Sequence, residues 1–275
     1  NSVHTPVYVD SVKQREIAVL VLGETSRALN FGVYGYERNT TPHLDSIENL
    51  IVYSDVLTES NTTHKIVPMV LSPAQADNYD IIKRAKSIVS AYKEAGFKTV
   101  FLTNHVYNLG YANYYFDEAD IKISNRDNGI YDADMLPHFD EIIVNTDGNL
   151  FFVIHLYGSH FRYYDRYPRE FAYFTPDESP DLSFKYKAEN INAFDNSIYY
   201  SSYILSEIIK KMQSISAVSY MMYVSDHGED LMDDSRKRLL HASPVPTFYQ
   251  LYIPFMLWTS DAYNSLKGEK VANVM

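Results

Sequence analysis

Cysteine is absent from the 275 residues of this sequence. Disulfide bonds and thiolate metal ligands are therefore impossible, so loops must be held by packing and hydrogen bonds. The absence leaves the cellular compartment open, because exported proteins need not carry disulfides. Any metal site in this chain has to be built from nitrogen and oxygen ligands.

Positive charge and long apolar runs are also scarce. The formal net charge is −11 and no Lys/Arg-rich cluster is evident. This argues against a nucleic-acid partner, because such partners require a basic surface. No apolar run approaches the roughly 18 residues of a transmembrane helix, and no signal peptide follows Asn1. We expect a soluble chain, which could still be a piece cut from a membrane protein.

Five short runs of β-branched and aromatic residues predict strands. None alternates cleanly between polar and apolar residues, so we interpret them as strands buried on both faces, as in a parallel sheet. The five runs are Glu16–Gly23, Phe97–Thr103, Leu150–Gly158, Val218–Ser225 and Ile253–Thr259.

Helical patterns lie between these strands. Ile88, Ala91, Tyr92 and Ala95 share one helical face, and Gly96 is the expected C-terminal cap. A longer pattern extends from about 187 to 212, whereas the Tyr/Pro-rich segment 161–182 is expected to be irregular. The alternation of strands and helices predicts an α/β fold, a sandwich with helices on both faces of a mostly parallel central sheet. No linker divides the chain, so we expect one domain over residues 1–275.

Polar side chains follow four of the five predicted strands. Ligands bind beyond the carboxyl ends of the strands in open parallel sheets, so these side chains are expected at one edge. Zinc usually takes four nitrogen or oxygen ligands, and the set suffices for one zinc site and nearly for two. The residues that we expect to converge are Glu24, His160, Asp226, His227 and His241. Asn104 and His105 follow the second predicted strand, and His155 lies within the third.

Each of these residues also has an ordinary structural interpretation. A single histidine is more often a satisfied polar residue than a ligand, and Glu24 could cap a helix that follows it. We expect His155, within an apolar strand, to be structural. The joint placement of five such residues beyond predicted strand ends favours a metal site, although the residue pattern alone leaves both interpretations open.

Two adjacent threonines, Thr62 and Thr63, precede a helical apolar run. One interpretation is a helix N-cap for a helix starting near His64. The other is an activated nucleophile, because a zinc ion can deprotonate a hydroxyl and a helix N-terminus can stabilise a phosphoryl group. The two interpretations are compatible, and the sequence alone does not separate them.

The motifs occur in the order found in the phosphoethanolamine transferases, a family that this sequence resembles. They are GETSRALNFGVYGYERNTTP (Gly23–Pro42), TTHKIVPM (Thr62–Met69), NINAFDNSI (Asn190–Ile198), SDHGE (Ser225–Glu229) and His241. These enzymes modify lipid A and related envelope targets, some confer polymyxin resistance, and they belong to the alkaline phosphatase/sulfatase superfamily. The resemblance implies a three-layer α/β/α sandwich of the alkaline phosphatase type.

The resemblance also implies residue roles. Glu24, Asp226, His227 and the nucleophile Thr63 match the residues that surround a zinc ion in the family. Thr63 is chosen over Thr62 because the nucleophile lies five residues before the proline of the "VP" pair, here Pro68. Two further histidines match positions that bind the phosphoryl group or a second zinc, and one acid matches a position near the ethanolamine amine. These residues are His160, His241 and Glu229.

The sequence departs from the family pattern at several positions. His64 follows the nucleophile where a small residue is usual, and Ala242 follows the last histidine where a glycine is usual. A family lysine near the end of the second strand has no clear equivalent, because Asn104, His105 and Asn108 occupy that stretch. The family's disulfides are absent. Contacts to a substrate phosphate are the feature that these departures affect most.

The implied reaction transfers phosphoethanolamine from phosphatidylethanolamine to an envelope acceptor such as lipid A, through a phosphothreonine-type intermediate. The implied setting is the inner membrane of a Gram-negative bacterium, with this domain in the periplasm behind an N-terminal membrane domain. The alternatives are another phospho-group transferase, such as a glycerophosphate transferase, a phosphodiesterase of the same superfamily, or a metal-free binding module. A sulfatase is less favoured, because its nucleophile is a modified Cys or Ser.

Overall fold

The computed structural model describes residues 14–105, 111–125 and 131–272. Its strands and helices alternate along most of this length. The strands are β1 (Glu16–Gly23), β2 (Leu50–Tyr53), β3 (Lys98–Thr103), β4 (Ile121–Ser124), β5 (Leu150–His155), β6 (Val218–Ser225), β7 (Asp230–Leu231), β8 (Leu239–Leu240) and β9 (Phe255–Thr259). The helices are α1 (Thr63–Leu71), α2 (Ile88–Glu94), α3 (Tyr111–Glu118), α4 (Leu136–Asn145), α5 (Lys187–Gln213), α6 (Phe248–Leu251) and α7 (Asp261–Ala272).

Seven strands form the central sheet, in the order β2-β9-β6-β1-β5-β3-β4. The five adjacent strands β6, β1, β5, β3 and β4 are parallel to one another. Strand β9 is antiparallel to both β6 and β2. Two short strands, β7 and β8, form a separate hairpin. Among the described helices, none combines the length and the apolar character needed to cross a membrane.

Helices cover both faces of the sheet. On one face, Phe139 and Ile143 of α4 and a continuous stripe of α5 pack against β1 and β5. On the other face, α1, α2 and α3 contribute Val67, Val89, Tyr115 and other apolar side chains. The central strands β1 and β5 are buried on both faces and are therefore continuously apolar. The predicted three-layer α/β/α sandwich with a mostly parallel sheet is confirmed.

Some local predictions need correction. The run predicted over Ile253–Thr259 forms a strand only over Phe255–Thr259, and this strand is antiparallel. The strand predicted over Leu150–Gly158 ends at His155. Strands β2 and β4, each four residues long, were not predicted. The cap at Gly96 is confirmed, because Gly96 has φ +86° and its N–H donates to a carbonyl of α2.

The sheet register brings the polar strand ends together. Gly23, the last residue of β1, pairs with Ser225 of β6, so Glu24 and Asp226 follow the two strands side by side. On the other flank of β1, Leu22 pairs with His155 of β5. The register therefore places acidic and imidazole side chains at one edge of the sheet, near its centre.

Candidate metal centre and nucleophile

Four side chains meet beyond the carboxyl ends of β1 and β6. The Thr63 hydroxyl oxygen lies 3.0 Å from Glu24 Oε2 and 3.3 Å from His227 Nε2. His227 Nε2 lies 3.4 Å from Glu24 Oε1 and 3.3 Å from Asp226 Oδ2. Glu24, Asp226 and His227 are buried, whereas Thr63 is partly exposed. The set of potential ligand atoms is therefore accessible from the side of the threonine hydroxyl.

The spacing of these atoms suits a tetrahedral zinc ion. Zinc binds nitrogen and carboxylate oxygen at about 2.0–2.2 Å, so neighbouring ligands of a tetrahedral ion lie about 3.3 Å apart. The Oδ2 atom of Asp226 is buried and has no hydrogen-bond partner among the described residues. An unpaired buried carboxylate oxygen is costly unless a cation compensates its charge. The donor types, the spacing and the unpaired oxygen all fit zinc.

The loop after β1 fixes both carboxylates. Thr25 has φ +60°, a left-handed conformation that is uncommon for residues other than glycine. In this conformation its N–H donates to Asp226 Oδ1 at 3.0 Å and its hydroxyl donates to Glu24 Oε1 at 2.6 Å. Burial, and then the charge of Asp226, raise the pKa of the Glu24 carboxyl well above its usual range. A bound cation would favour the ionised form of this carboxyl.

The turn after β6 determines the tautomer of His227. Its Nδ1 lies 2.9 Å from the carbonyl oxygen of Gly228, so Nδ1 carries the proton and the Nε2 lone pair faces the site. Gly228 is needed here, because a Cβ at this position would lie 2.3 Å from the carbonyl oxygen of Tyr249. The glycine of the SDHGE motif thus permits the close approach that holds the histidine in place.

The structure assigns the two threonines to different positions. Helix α1 begins at Thr63, and Thr62 is the N-cap residue. The expected helix start near His64 is one residue late, and the expected cap is not made by a side chain: the Thr62 hydroxyl forms no capping hydrogen bond in the described structure. It lies 3.4 Å from the hydroxyl of Ser60 instead. Of these two threonines, Thr63 is the one whose hydroxyl contacts Glu24 and His227. It lies at the start of α1, where backbone N–H groups lack partners within the helix.

His241, His160 and Glu229 lie next to this centre and outside its four ligands. The His241 ring lies 4.1 Å from the His227 ring and 6.3 Å from the His160 ring, measured between centroids. His241 Nδ1 lies 3.2 Å from Glu229 Oε2, and His160 Nδ1 lies 2.8 Å from the carbonyl oxygen of Phe161. Both imidazoles are therefore held through Nδ1 and line the space next to the metal centre.

Burial sets the charge of these neighbours. It lowers the pKa of both His160 and His241, so both are neutral at neutral pH. Burial raises the pKa of Glu229 well above its usual range, and Glu229 Oε1 has no hydrogen-bond partner among the described residues. The partly buried imidazoles of His160 and His241 therefore line the space next to the candidate metal centre in neutral form, and the Glu229 carboxyl, which contacts His241, is fully buried.

Sequence reasoning did not place two further histidines at this centre. The His105 and His155 rings stack with centroids 3.9 Å apart, and His105 Nε2 lies 3.6 Å from Glu24 Oε2. With Glu24 they form a second group whose ligand atoms lie within 4.8 Å of one another. His105 Nε2 also lies 2.8 Å from the carbonyl oxygen of Leu156, which indicates a protonated nitrogen. His105 was visible at the end of the second predicted strand and His155 within the third, but their proximity to Glu24 depends on the strand order β1-β5-β3.

The stretch that replaces the family lysine has mixed roles. Asn104 donates a hydrogen bond to Asp132, a buried carboxylate that also accepts two backbone N–H groups. This makes Asn104 a structural residue, while His105 is the one that approaches Glu24. Asn108 lies outside the described residues. Ala242, at the usual glycine position, has φ +61°, a conformation that glycine adopts more easily.

Together, the fold and the site define a class of protein. The fold, a mostly parallel sheet between two helical layers, is similar to that of a Vibrio parahaemolyticus protein in the alkaline phosphatase superfamily, with a TM-score of 0.63 and 18% identity over 92% of this chain and 62% of that one. The chain belongs to the sulfatase family, whose model matches residues 17–275.

The curated relatives confirm the resemblance seen in the motifs. The chain is 29% identical to phosphoethanolamine transferase EptC of Escherichia coli (strain K12), in an alignment that covers 93% of this chain and 47% of that protein. It is 29% identical to the Kdo(2)-lipid A phosphoethanolamine 7''-transferase of the same strain, with 89% of this chain and 44% of that protein covered. The chain thus spans about half the length of the curated relatives that it matches.

Solved structures of similar proteins agree with the fold. The C-terminal periplasmic domain of EptC from Escherichia coli, in complex with zinc, has a TM-score of 0.85 and 28% identity, and the match covers 94% of this chain and 76% of that one. The integral membrane protein lipooligosaccharide phosphoethanolamine transferase A from Neisseria meningitidis has a TM-score of 0.84 and 27% identity, covering 94% of this chain and 50% of that one. A zinc-bound relative with the same fold is consistent with the donor set described above.

The neighbouring histidines give a prediction that separates substrate contacts from metal ligation. His160→Ala and His241→Ala should each lower turnover roughly 100-fold or more if these rings bond the phosphoryl group, as the family positions that they match imply. Neither should empty the site formed by Glu24, Asp226 and His227, since neither ring belongs to that set. Turnover and zinc content measured on the same samples test this. Loss of the zinc from His241→Ala protein would show that the division of roles is wrong.

Proposed function

We propose that this chain is the catalytic domain of a zinc-dependent phosphoethanolamine transferase with Thr63 as its nucleophile. The observation that carries the proposal is the position of the Thr63 hydroxyl, 3.0 Å from Glu24 and 3.3 Å from His227. The names of the curated relatives and the zinc-bound relative support both the reaction and the metal.

The metal ligands in this proposal are Glu24, Thr63, Asp226 and His227. When bound, zinc would lower the pKa of the Thr63 hydroxyl and stabilise negative charge on the phosphoryl oxygens. Asp226 and Glu24 are held in place by Thr25, and His227 by its own turn. The ligands therefore need little rearrangement, which favours preorganised electrostatic stabilisation of the transition state.

In the first half-reaction, Thr63 Oγ1 attacks the phosphorus of phosphatidylethanolamine. A bond forms between Oγ1 and phosphorus, the bond from phosphorus to the glycerol oxygen breaks, and diacylglycerol leaves with the proton that the threonine lost. Glu24 Oε2 accepts the hydrogen bond from the hydroxyl and orients Oγ1 for attack. Thr63 is the first residue of α1, and N–H groups in the first turn of a helix can stabilise a phosphoryl group.

In the second half-reaction, an acceptor oxygen forms a bond to the same phosphorus and the bond from phosphorus to Thr63 Oγ1 breaks. The proton that the acceptor loses restores the Thr63 hydroxyl. His160 and His241 bind the phosphoryl oxygens, or hold a second zinc, in the space next to His227. Glu229 lies near the ethanolamine ammonium, whose positive charge would favour the ionised form of this buried carboxyl. The acceptor is lipid A or another component of the cell envelope, in line with the relative named for Kdo(2)-lipid A.

Residues 1–275 form a single catalytic domain in this proposal, joined to an N-terminal membrane domain. The similarity to a periplasmic domain and to an integral membrane transferase supports this arrangement. The domain then faces the periplasm at the inner membrane of a Gram-negative bacterium. A membrane-bound partner domain would bring the lipid donor to Thr63.

The nearest alternative is a protein of the same fold that transfers a different group. Separate incubations with two lipid donors test this alternative. Zinc-loaded protein is incubated in detergent micelles with phosphatidylethanolamine or phosphatidylglycerol that carries a fluorescent acyl chain. We expect fluorescent diacylglycerol from phosphatidylethanolamine, and none after zinc is removed by a chelator. Release from phosphatidylglycerol alone would assign a glycerophosphate transferase, and release from neither by zinc-loaded protein would favour a binding module.

A further inference from the structure

An exposed rim of apolar and cationic side chains lies next to the candidate nucleophile. Its three apolar residues are more than half exposed: Val245 at 71%, Phe248 at 55% and Phe184 at 54%. The Lys237 ammonium lies 4.1 Å from the centroid of the Phe184 ring, and Arg238 donates to the carbonyl oxygen of Val245 at 3.1 Å. These contacts place aromatic, aliphatic and cationic groups together. We refer to Phe184, Lys237, Arg238, Val245 and Phe248 as the rim.

The five rim residues include two cations and no acid, on a chain whose net charge is −11. The tripeptide from 236 to 238 is too short to count as a basic cluster in the sequence. In the structure, the nearby acids are already engaged: Asp234 pairs with Arg236 and Asp233 pairs with Arg27. Lys237 and Arg238 form no ion pair with a carboxylate among the described residues. Two cations thus remain available to an anionic partner.

Hydrogen bonds tie the rim to the segment that carries the nucleophile. The side-chain amide of Asn61, two residues before Thr63, donates to the carbonyl oxygen of Ser243 at 3.0 Å. The N–H of Ala242 donates to the carbonyl oxygen of Asn61 at 3.2 Å. A partner that binds the rim would therefore lie directly next to the opening of the site.

We propose that the rim docks onto a bilayer surface that contains anionic lipids. Val245, Phe248 and Phe184 enter the headgroup region, while Lys237 and Arg238 face lipid phosphates. Exposed apolar side chains combined with cations are the features that bind a protein to such an interface. The proposal rests on the proposed function, since a lipid donor has to reach Thr63 from a membrane. Charge complementarity favours a bilayer over an apolar protein partner, which would leave both cations unpaired.

Vesicle co-sedimentation of zinc-loaded protein tests the proposal. The vesicles are phosphatidylcholine with or without phosphatidylglycerol. We expect binding to the anionic vesicles only, weakening as salt is added. Lys237→Glu and the double variant V245S/F248S should each reduce the binding constant tenfold or more.

Two matched controls lie near the amino ends of the strands, at the opposite end from the candidate site. Lys98 is exposed at the start of β3, and Val144 is 54% exposed on α4. Lys98→Glu changes the net charge as much as Lys237→Glu does, and Val144→Ser removes a comparable apolar side chain. Both should bind vesicles as the unsubstituted protein does.

Three outcomes would overturn the docking proposal. They are absence of binding to anionic vesicles, equal losses in rim and control variants, and a dimer in solution that the rim variants abolish. The assay requires no turnover, so it separates docking from chemistry. Protein that releases diacylglycerol from micelles, but whose rim variants still bind vesicles normally, would refute docking and leave the transferase intact. Rim-dependent binding by protein without transferase activity would support docking and refute the proposed transferase function.

Discussion

Thr63→Ala is expected to abolish phosphoethanolamine transfer, lowering the rate roughly 1,000-fold or more, as removal of a catalytic nucleophile does in other enzymes. The physical reason is that the Thr63 hydroxyl is the one placed 3.0–3.3 Å from Glu24 and His227. The measurement is diacylglycerol release from phosphatidylethanolamine at saturating zinc. Thr63→Ser retains a hydroxyl at the same position and should retain measurable transfer.

Thr62→Ala is the matched control for this prediction. An N-cap threonine can contribute about 1 kcal/mol to stability, but the Thr62 side chain makes no capping bond in the described structure. Its loss should therefore change stability by less than that amount and leave transfer within a few-fold of the original rate. A Thr63→Ala protein that retains full transfer would contradict the assignment. Equal losses in both alanine variants would point to damage at the start of α1.

His227→Ala is expected to empty the metal site while the sheet stays folded. His227 supplies the only imidazole nitrogen among the four proposed ligands, and it lies beyond β6 rather than within it. The loss of zinc affinity should exceed the roughly 10–100-fold that removal of an outer-shell partner costs. Elemental analysis and competition with a chromophoric chelator measure zinc, and circular dichroism reports the fold.

His43→Ala provides a matched histidine control. His43 packs against Tyr199 and Tyr203 on the surface of α5, away from the metal centre. This variant should retain its zinc whatever it loses in stability. Full zinc occupancy in His227→Ala, at the affinity of the unsubstituted protein, would remove His227 from the ligand set. If the unsubstituted protein contained no zinc even after refolding with the metal, the proposed zinc site would be refuted.

The sequence predicted the centre of the fold, and it predicted that Glu24, Asp226 and His227 would meet beyond the strand ends, for a physical reason. Strands buried on both faces are continuously apolar, so β1, β5 and β6 were visible as runs. Residues that follow parallel strands share one edge of the sheet, so Glu24 and Asp226 were expected together. The Gly23–Ser225 register then makes them neighbours.

The parts that sequence reasoning missed depend on non-local pairing. The direction of β9 follows from its partners β2 and β6, and β2 is too short to give a periodic signal. His105 approaches Glu24 only because β5 and β3 follow β1 in the sheet. The helix start at Thr63 rather than His64 is a backbone detail that residue types alone do not determine.

Covalent modification of Thr63 tests the central claim most directly. Zinc-loaded protein is incubated with phosphatidylethanolamine in the absence of an acceptor, and its intact mass is measured. The account predicts one phosphoethanolamine increment on the unsubstituted protein and on Thr62→Ala, and none on Thr63→Ala. Fragmentation should locate the increment at Thr63. An increment that persists in Thr63→Ala and disappears in Thr62→Ala would contradict the account by assigning the nucleophile to Thr62, and transfer activity that survives in both variants would refute covalent catalysis by threonine.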